Sequence, residues 1–345
     1  LEKGTHGVAG DTINLAARFC GLANPGEIVV GLDTFRQAEG HFIFEALEPT
    51  RVKGKAEPVQ VYKVLSPKER PITVRRLSGL RADLIGRKAE IVQLTEALEN
   101  LREGKGRIFS ICGEAGTGKS RLTEEFKARL DLEDIQWLKG HAYAYCQNIP
   151  YFPLIDLISR AFQIEEADSP EKVREKIESS IEDLIGKEQD VVPYIGSLYA
   201  LSYPEIEDMS PEHWKSKLQD SVMAVLSALA RRAPTIFFLE DLHWADPSSV
   251  ELLRNALLQV RQPAIVLCVH RPEFNLLTSH QLSTIGETYQ EIRLKDLSAS
   301  EAQDMLESLL KTESIPADLR RFVQDKAEGN PFYLEELINS LIESG

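Results

Sequence analysis

The sequence predicts an α/β protein. A parallel sheet carries a phosphate loop, a helical insertion interrupts it, helices close its C-terminal end, and a small α+β segment precedes it. Three observations predict this. Residues Gly113-Glu114-Ala115-Gly116-Thr117-Gly118-Lys119-Ser120 form a complete G-x-x-x-x-G-K-[ST] loop between an apolar strand and a helical pattern carrying Leu122, Phe126 and Leu130. Apolar strands at 107–112, 135–142, 235–240 and 264–270 are separated by helical periodicity, the pattern of a parallel sheet. The strand at 235–240 runs into two acids, Glu240 and Asp241.

Taken in order, residues 1–65 read as the small α+β segment. Asp11 can cap a helix bearing Ile13, Leu15, Ala16, Phe19 and Leu22, after which Asn24-Pro25-Gly26 turns the chain. Glu27-Ile28-Val29-Val30 reads as a strand and a short helix follows around 34–38. Phe42-Ile43-Phe44-Glu45 and Val59-Gln60-Val61-Tyr62-Lys63-Val64 read as further strands. Residues 66–83, with Pro67, Pro71 and the pair Arg75-Arg76, read as a linker. Residues 84–295 hold the sheet. Within them, about 151–230 show amphipathic spacing such as Leu154, Leu157, Ile158 and Val222, Val225, Leu226, the pattern of a helical insertion. Residues 296–345 read as a helical lid without a β pattern.

The chain of 345 residues is long enough for two or three domains at about 150 residues each. No apolar run reaches the about 20 residues a membrane helix needs, so no membrane partner is expected. The opening Leu1-Glu2-Lys3-Gly4 is not a signal peptide, and without a start methionine it reads as part of a longer polypeptide. A net charge of −14 argues against broad nucleic-acid binding, which rests on phosphate neutralisation by Lys and Arg. Cys20, Cys112, Cys146 and Cys268 form no C-x-x-C pair, and they read as small core residues in a reducing cytoplasm.

The loop sets the ligand class, a nucleoside triphosphate. Its glycines let backbone N–H groups turn inward around a phosphate, Lys119 can reach the β and γ oxygens, and the Ser120 hydroxyl can hold Mg²⁺. The helix that follows points its positive end at the same anion. The acids at the carboxyl end of 235–240 lie where ligands bind in open α/β sheets. One can complete the Mg²⁺ shell while the other orients the attacking water. We give the metal to Glu240 and the water to Asp241, with the reverse order open, since the usual first acid is Asp. Asp246 before Pro247 reads as a helix cap. Arg271, after the strand 264–270, can sense a γ-phosphate or sit as a surface Arg.

Five segments together resemble the STAND class of AAA+-related signalling ATPases. They are Leu84-Ile85-Gly86-Arg87-Lys88-Ala89-Glu90, the phosphate loop, Leu239-Glu240-Asp241-Leu242-His243-Trp244-Ala245-Asp246, His270-Arg271-Pro272-Glu273, and Gly329-Asn330-Pro331-Phe332-Tyr333-Leu334-Glu335-Glu336. The resemblance implies a P-loop NTPase fold that binds ATP or ADP with Mg²⁺. It implies that Ile85, Gly86, Arg87 and Pro331 line the adenine side and that Arg271 takes the phosphate-sensing position. It extends the nucleotide contacts over Gly113 to Ser120 and onto Arg121. It also implies a nucleotide-driven conformational switch, often with self-association, and a sensor or effector region that family members carry beyond the position of Gly345. Turnover is expected to be slow, because no arginine finger is evident in cis.

Residues 5–65 resemble the last part of a class III adenylyl/guanylyl cyclase domain. The resemblance rests on Gly10-Asp11-Thr12-Ile13-Asn14-Leu15-Ala16-Ala17-Arg18, Pro25-Gly26-Glu27-Ile28 and Val52-Lys53-Gly54-Lys55-Ala56-Glu57-Pro58-Val59. In active members the positions of Asn14 and Arg18 steady the substrate. The family's metal-binding aspartates fall upstream of this sequence and Gly7 stands where a base-selecting residue is usual, so no cyclase activity is expected of this chain. Cyclase homology fused to a STAND ATPase is a bacterial arrangement.

Overall fold

Strands at 107–112, 235–240 and 264–270 are apolar on both faces, and in the computed structural model they form the middle of one sheet. The structure describes residues 19, 21–24, 26–39, 42–50, 58–67, 82–130, 134–186, 190–259, 263–312 and 315–343. Asn14, Arg18 and most of the helix expected from Asp11 lie outside the described residues, as do 68–81 of the expected linker. The chain divides into two units, Leu1–Leu80 and Arg81–Gly345.

In the first unit, β1 (Ile28–Gly31), α1 (Leu32–Ala38), β2 (Phe42–Ala46) and β3 (Val61–Pro67) give an antiparallel sheet of order β1-β3-β2. The central strand β3 buries Val61 against Phe19. The Phe35 ring of α1 stacks on Tyr62 with centroids 3.9 Å apart and meets Phe44 edge-on. Val59, expected to open the last strand, instead makes an isolated bridge to Thr50, and the strand continues through Ser66 and Pro67, which the sequence assigns to the linker.

The second unit runs α2 (Lys88–Arg102), β4 (Arg107–Cys112), α3 (Lys119–Ala128), β5 (Gln136–His141), α4 (Phe152–Ala161), α5 (Pro170–Ile185), α6 (Val192–Ser197), α7 (Pro204–Glu207), α8 (Pro211–Arg232), β6 (Thr235–Glu240), α9 (Pro247–Gln259), β7 (Ala264–His270), α10 (Ser279–Ile285), β8 (Tyr289–Arg293), α11 (Ala299–Leu310), α12 (Ala317–Ala327) and α13 (Pro331–Glu343). Its five strands are parallel in the order β5-β6-β7-β4-β8. The sequence reading lacks β8, whose only buried residue is Ile292. An edge strand with one fully buried position gives no strand signal of its own.

Period-2 alternation splits the sheet's side chains between two cores. Phe109, Ile111, Ile236, Phe238, Ile265 and Leu267 pack against α2 and α3, through Leu94, Leu98, Leu122 and Phe126. Phe237, Leu239, Val266 and Cys268 pack against the helices of the insertion and α9, through Leu154, Leu157, Val222 and Leu253. The insertion's helices start on local signals: Ser169 and Ser210 accept backbone N–H bonds from Lys172 and His213, each followed by proline at the first helical position. Among the described residues no helix is long and apolar enough to cross a membrane.

The connectivity places the site. From β4 the chain crosses to the far edge at β5, returns through β6 and β7 to lie beside β4, then passes to its other side at β8. Beyond the carboxyl end of β4 the strand order reverses, which leaves the crevice where open α/β sheets hold ligands.

Candidate nucleotide site

The loop between β4 and α3 is shaped by close approaches that need glycine. A Cβ on Gly113 would come within 2.7 Å of Thr117 Oγ1 and 2.9 Å of the Leu294 carbonyl. Gly116 (φ +83°) lies against Asn330 and Phe332, and Gly118 (φ +91°) turns the chain into α3 with open space where a side chain would be. Thr117 is buried and its hydroxyl donates to the Glu114 carbonyl at 2.9 Å. Lys119 donates to the carbonyls of Gly113 (2.7 Å) and Glu114 (2.8 Å). Burial pulls its ammonium below the ordinary lysine value, Arg271 adds repulsion, and Asp241 opposes the shift.

The two acids meet this loop from β6. Ser120 Oγ donates to Glu240 Oε1 at 3.0 Å, which brings together the two groups expected to share Mg²⁺. Glu240 Oε2 pairs with Lys139 Nζ at 2.6 Å, and His141 Nδ1 stands 3.7 Å away. His141 Nε2 lies 3.2 Å from Asp241 Oδ2. Burial works to raise the Asp241 carboxyl, but the hydrogen bond and charge of His141, with smaller contributions from His243 and Lys119, outweigh it and hold it below its usual value. Asp241 itself has φ +56°, a left-handed conformation that side chains other than glycine adopt at a cost. Lys139 and His141 were not anticipated. Two basic residues at alternate positions of the strand beside an acid-tipped strand were the available signal, since β5 and β6 pair with His141 opposite Glu240.

The remaining expected residues divide by what they touch. Arg271 Cζ sits 5.6 Å from the Trp244 ring centroid and acts electrostatically on Lys119 and His243. Both ring nitrogens of His243 are buried without a hydrogen-bond partner, and burial lowers its basicity. His270, at the end of β7, links Ser110 Oγ (2.7 Å) to the Arg271 carbonyl (2.8 Å). Asp246 caps α9 through the N–H groups of Ser248 (2.9 Å) and Ser249 (3.0 Å), and also accepts from the Tyr151 N–H at 3.1 Å.

Arg87 is buried, and its guanidinium donates to the carbonyls of Thr117 (3.2 Å) and Lys295 (2.5 Å). Its charge ties the loop to the segment after β8. Arg121 donates to the Ala82 carbonyl at 3.0 Å. Gly86 (φ +70°) passes close to Glu301, the capping-box partner of Ser298 at the start of α11. Pro331 opens α13, and the neighbouring Asn330, given no role by the sequence reading, makes the contacts. Its Nδ2 donates to the Ala115 carbonyl at 3.0 Å, its Oδ1 accepts from the N–H groups of Phe332 (3.1 Å) and Tyr333 (3.4 Å), and the Phe332 N–H also faces the Gly116 carbonyl at 3.3 Å. The lid therefore docks on the phosphate loop itself.

A family model described as AAA ATPase domain matches residues 83–270, more than half of the chain. The chain belongs to the AAA ATPase domain family. The match covers the phosphate loop, the acids and the end of β7. A domain of unknown function matches residues 298–344, the lid that follows the AAA ATPase domain. The chain is 24% identical over 272 residues to an uncharacterized protein of Rhizobium meliloti (strain 1021), covering 77% of this chain and 26% of that protein. It is 20% identical over 348 residues to adenylate cyclase type 10 of Rattus norvegicus, covering 97% of this chain and 21% of that protein. The chain thus spans about a quarter or less of these curated relatives. Among solved structures it is similar to the Aeropyrum pernix ORC1 protein, solved in complex with DNA, at 16% identity and TM-score 0.47 over 75% of this chain and 60% of that one. It is also similar to a STAND protein with a tetratricopeptide repeat sensor from Pyrococcus horikoshii, at 16% identity and TM-score 0.35 over 74% of this chain and 29% of that one.

Proposed function

We propose that the AAA ATPase domain binds Mg·ATP at the carboxyl end of β4, hydrolyses it slowly, and uses the difference between ATP and ADP as a signalling switch. The observation that carries this reading is the 3.0 Å contact of Ser120 Oγ with Glu240 Oε1 beside a glycine-shaped phosphate loop. A hydroxyl and a carboxylate meeting at the end of a phosphate loop are the groups that would hold a Mg²⁺ ion arriving with a nucleoside triphosphate. Mg²⁺, when bound, supplies neutralisation of the charge that builds on the transferred phosphoryl group.

The chain's own residues do the rest. Lys119 exchanges the Gly113 and Glu114 carbonyls for phosphate oxygens, an ion pair in place of bonds to two neutral acceptors. Asp241, kept ionised through His141 and Lys119, accepts a hydrogen bond from the attacking water and orients it. Arg271 reaches the γ-phosphate. Ile85, Gly86, Arg87 and Pro331 border the adenine side, Arg87 by fixing the Thr117 carbonyl. Asn330 and Phe332 read the state of the loop, because any change at Ala115 or Gly116 alters their bonds and moves the start of α13. An arginine from a second copy of the chain, acting in trans, would raise the turnover by orders of magnitude.

Steady-state ATP hydrolysis tests this, with wild type set against Lys119→Ala over a range of protein concentrations. The expected result is slow turnover that the variant loses, rising per subunit as copies associate. ATP bound without turnover above the variant would make the chain a binding scaffold, a reading supported by Glu240 in the place of the usual Asp. A second reading concerns the longer protein. Because 97% of the chain aligns with adenylate cyclase type 10, the module would regulate a cyclase domain upstream. A polypeptide extended through that domain should then make cyclic nucleotide at a rate that Lys119→Ala changes, and this chain alone should make none.

A further inference from the structure

We propose that Lys139 is the resident counter-ion of Glu240, occupying its Oε2 so that a divalent cation enters the site with the triphosphate and not from free solution. The inference rests on the Mg·ATP reading and concerns how that same site admits its metal.

The argument starts from the pairing of β5 with β6. The strands run parallel with Lys139 opposite Phe238 and His141 opposite Glu240, so Lys139 and His141 share one face of the sheet. The Lys139 ammonium lies 5.6 Å from the Phe238 ring centroid and reaches past it to Glu240. Lys127 and Lys139 repel one another. Both oxygens of the nearly buried Glu240 carboxylate are therefore engaged, Oε1 by the Ser120 hydroxyl and Oε2 by Lys139 at 2.6 Å.

Charge decides what can enter. Lys139 pairs with Glu240, His141 lies against both Glu240 and Asp241, and Lys119 and Arg271 act on the same site, with Glu114 and Glu273 contributing negative charge through Lys119 and His243. A bare divalent cation would have to displace an ammonium from a buried carboxylate and would bring its charge beside Lys119 with no anion of its own. A triphosphate carrying the same ion brings net negative charge and gives Lys119 and Arg271 new partners. Lys139 thus makes the metal site conditional on nucleotide. It acts through Glu240 and is a positioning residue, not a catalytic one.

Mn²⁺ is the probe, followed by electron paramagnetic resonance on nucleotide-free protein and again with ATP present. Wild type should hold little Mn²⁺ without ATP and bind it when ATP is added. Lys139→Met should bind free Mn²⁺ about tenfold more tightly or better, given the size of a charge interaction at this range. Lys139→Gln should do the same if the Met variant does not fold. Adding Glu240→Gln to the Lys139 variant should remove the gain, which locates the ion at this carboxylate. Equal affinity of wild type and both Lys139 variants for free Mn²⁺ would overturn the proposal while leaving the Mg·ATP reading intact. Wild type that binds no Mn²⁺ even with ATP would sink the Mg·ATP reading and this inference with it.

Discussion

On one side of the phosphate loop the contacts are ionic; on the other they are directed at backbone carbonyls. Glu240 and Asp241 are held by Lys139 (2.6 Å) and His141 (3.2 Å) from β5, and Lys119 stands between the acids and its own loop. Across the loop, Asn330 meets the Ala115 carbonyl at 3.0 Å and Arg87 meets the Thr117 carbonyl at 3.2 Å. The first side can change its charge balance when a ligand arrives without moving the backbone. The second has less charge balance to change, since Arg87 donates to two neutral carbonyls and its acidic partner Glu90 stands further off at 3.7 Å, but its bonds follow the shape of the loop. Chemistry and readout are thus built from different kinds of contact around the same residues.

The largest expected effect breaks the pair apart. Asp241→Asn keeps size and shape but removes the carboxylate, and should cut ATP turnover about 10²- to 10⁴-fold with nucleotide affinity nearly unchanged. Asn330→Ala should do the reverse. Loss of the cap at α13 should cost about 1 kcal/mol, read as a melting temperature lower by about 2–4 °C, with turnover changed by less than about tenfold. Hydrogen exchange over α13 should respond to ATP in wild type and stop responding in this variant. If Asn330→Ala instead abolishes turnover while the helix still responds, the division of labour is wrong.

These two residues also mark what the sequence discloses. The acid pair and the loop are visible because their chemistry demands fixed residue types at fixed spacing. The β4, β6 and β7 strands are visible because burial on both faces leaves them almost wholly apolar, broken inside β4 only by Ser110. β8 is not, because an edge strand with a single buried Ile292 has no pattern to show. Lys139, His141 and Asn330 acquire meaning only from pairing. Strand register sets Lys139 and His141 beside Glu240, and the docking of residues 214 positions beyond Gly116 sets Asn330 against the loop, information that no local window contains. The bonds of Arg87 are a similar case: its motif is legible, while its engagement with Thr117 and Lys295 depends on the segment after β8 arriving at the loop.

A smaller effect separates the ionic side from the underside of the loop. His270 is buried between Ser110 and the Arg271 carbonyl, and burial lowers its pKa below the ordinary 6.5. With a carbonyl facing Nδ1, the proton resides there and Nε2 accepts from the Ser110 hydroxyl. As pH falls through about 6.5, the unfolded chain takes up a proton that the folded chain resists, so stability declines from that value down to the folded-state pKa and is flat above it. The slope is at most about 1.4 kcal/mol per pH unit for this group, and His243 acts in the same direction. Denaturation midpoints between about pH 5 and 8 should show the decline in wild type and a shallower one in His270→Asn. Identical slopes would remove His270 from the account.

The smallest effect belongs to neither side of the loop and calibrates both. Between the insertion helices and the sheet lies an apolar cavity of about 30 Å³, lined by Leu154, Leu226, Ala230, Phe237, Leu253 and Leu257 among others. Ala230→Val would place two methyl groups there. Filled without strain, it should add up to about 1 kcal/mol of stability and leave ATP turnover unchanged, measured by melting temperature and steady-state rate together. A loss of stability would show that the space is too narrow for the branched side chain, the overpacking outcome. A change in turnover would carry more weight. It would mean that the packing of α8 against β6 reaches the acids at the end of that strand, and the ionic side of the site would then depend on backbone position as the lid side does.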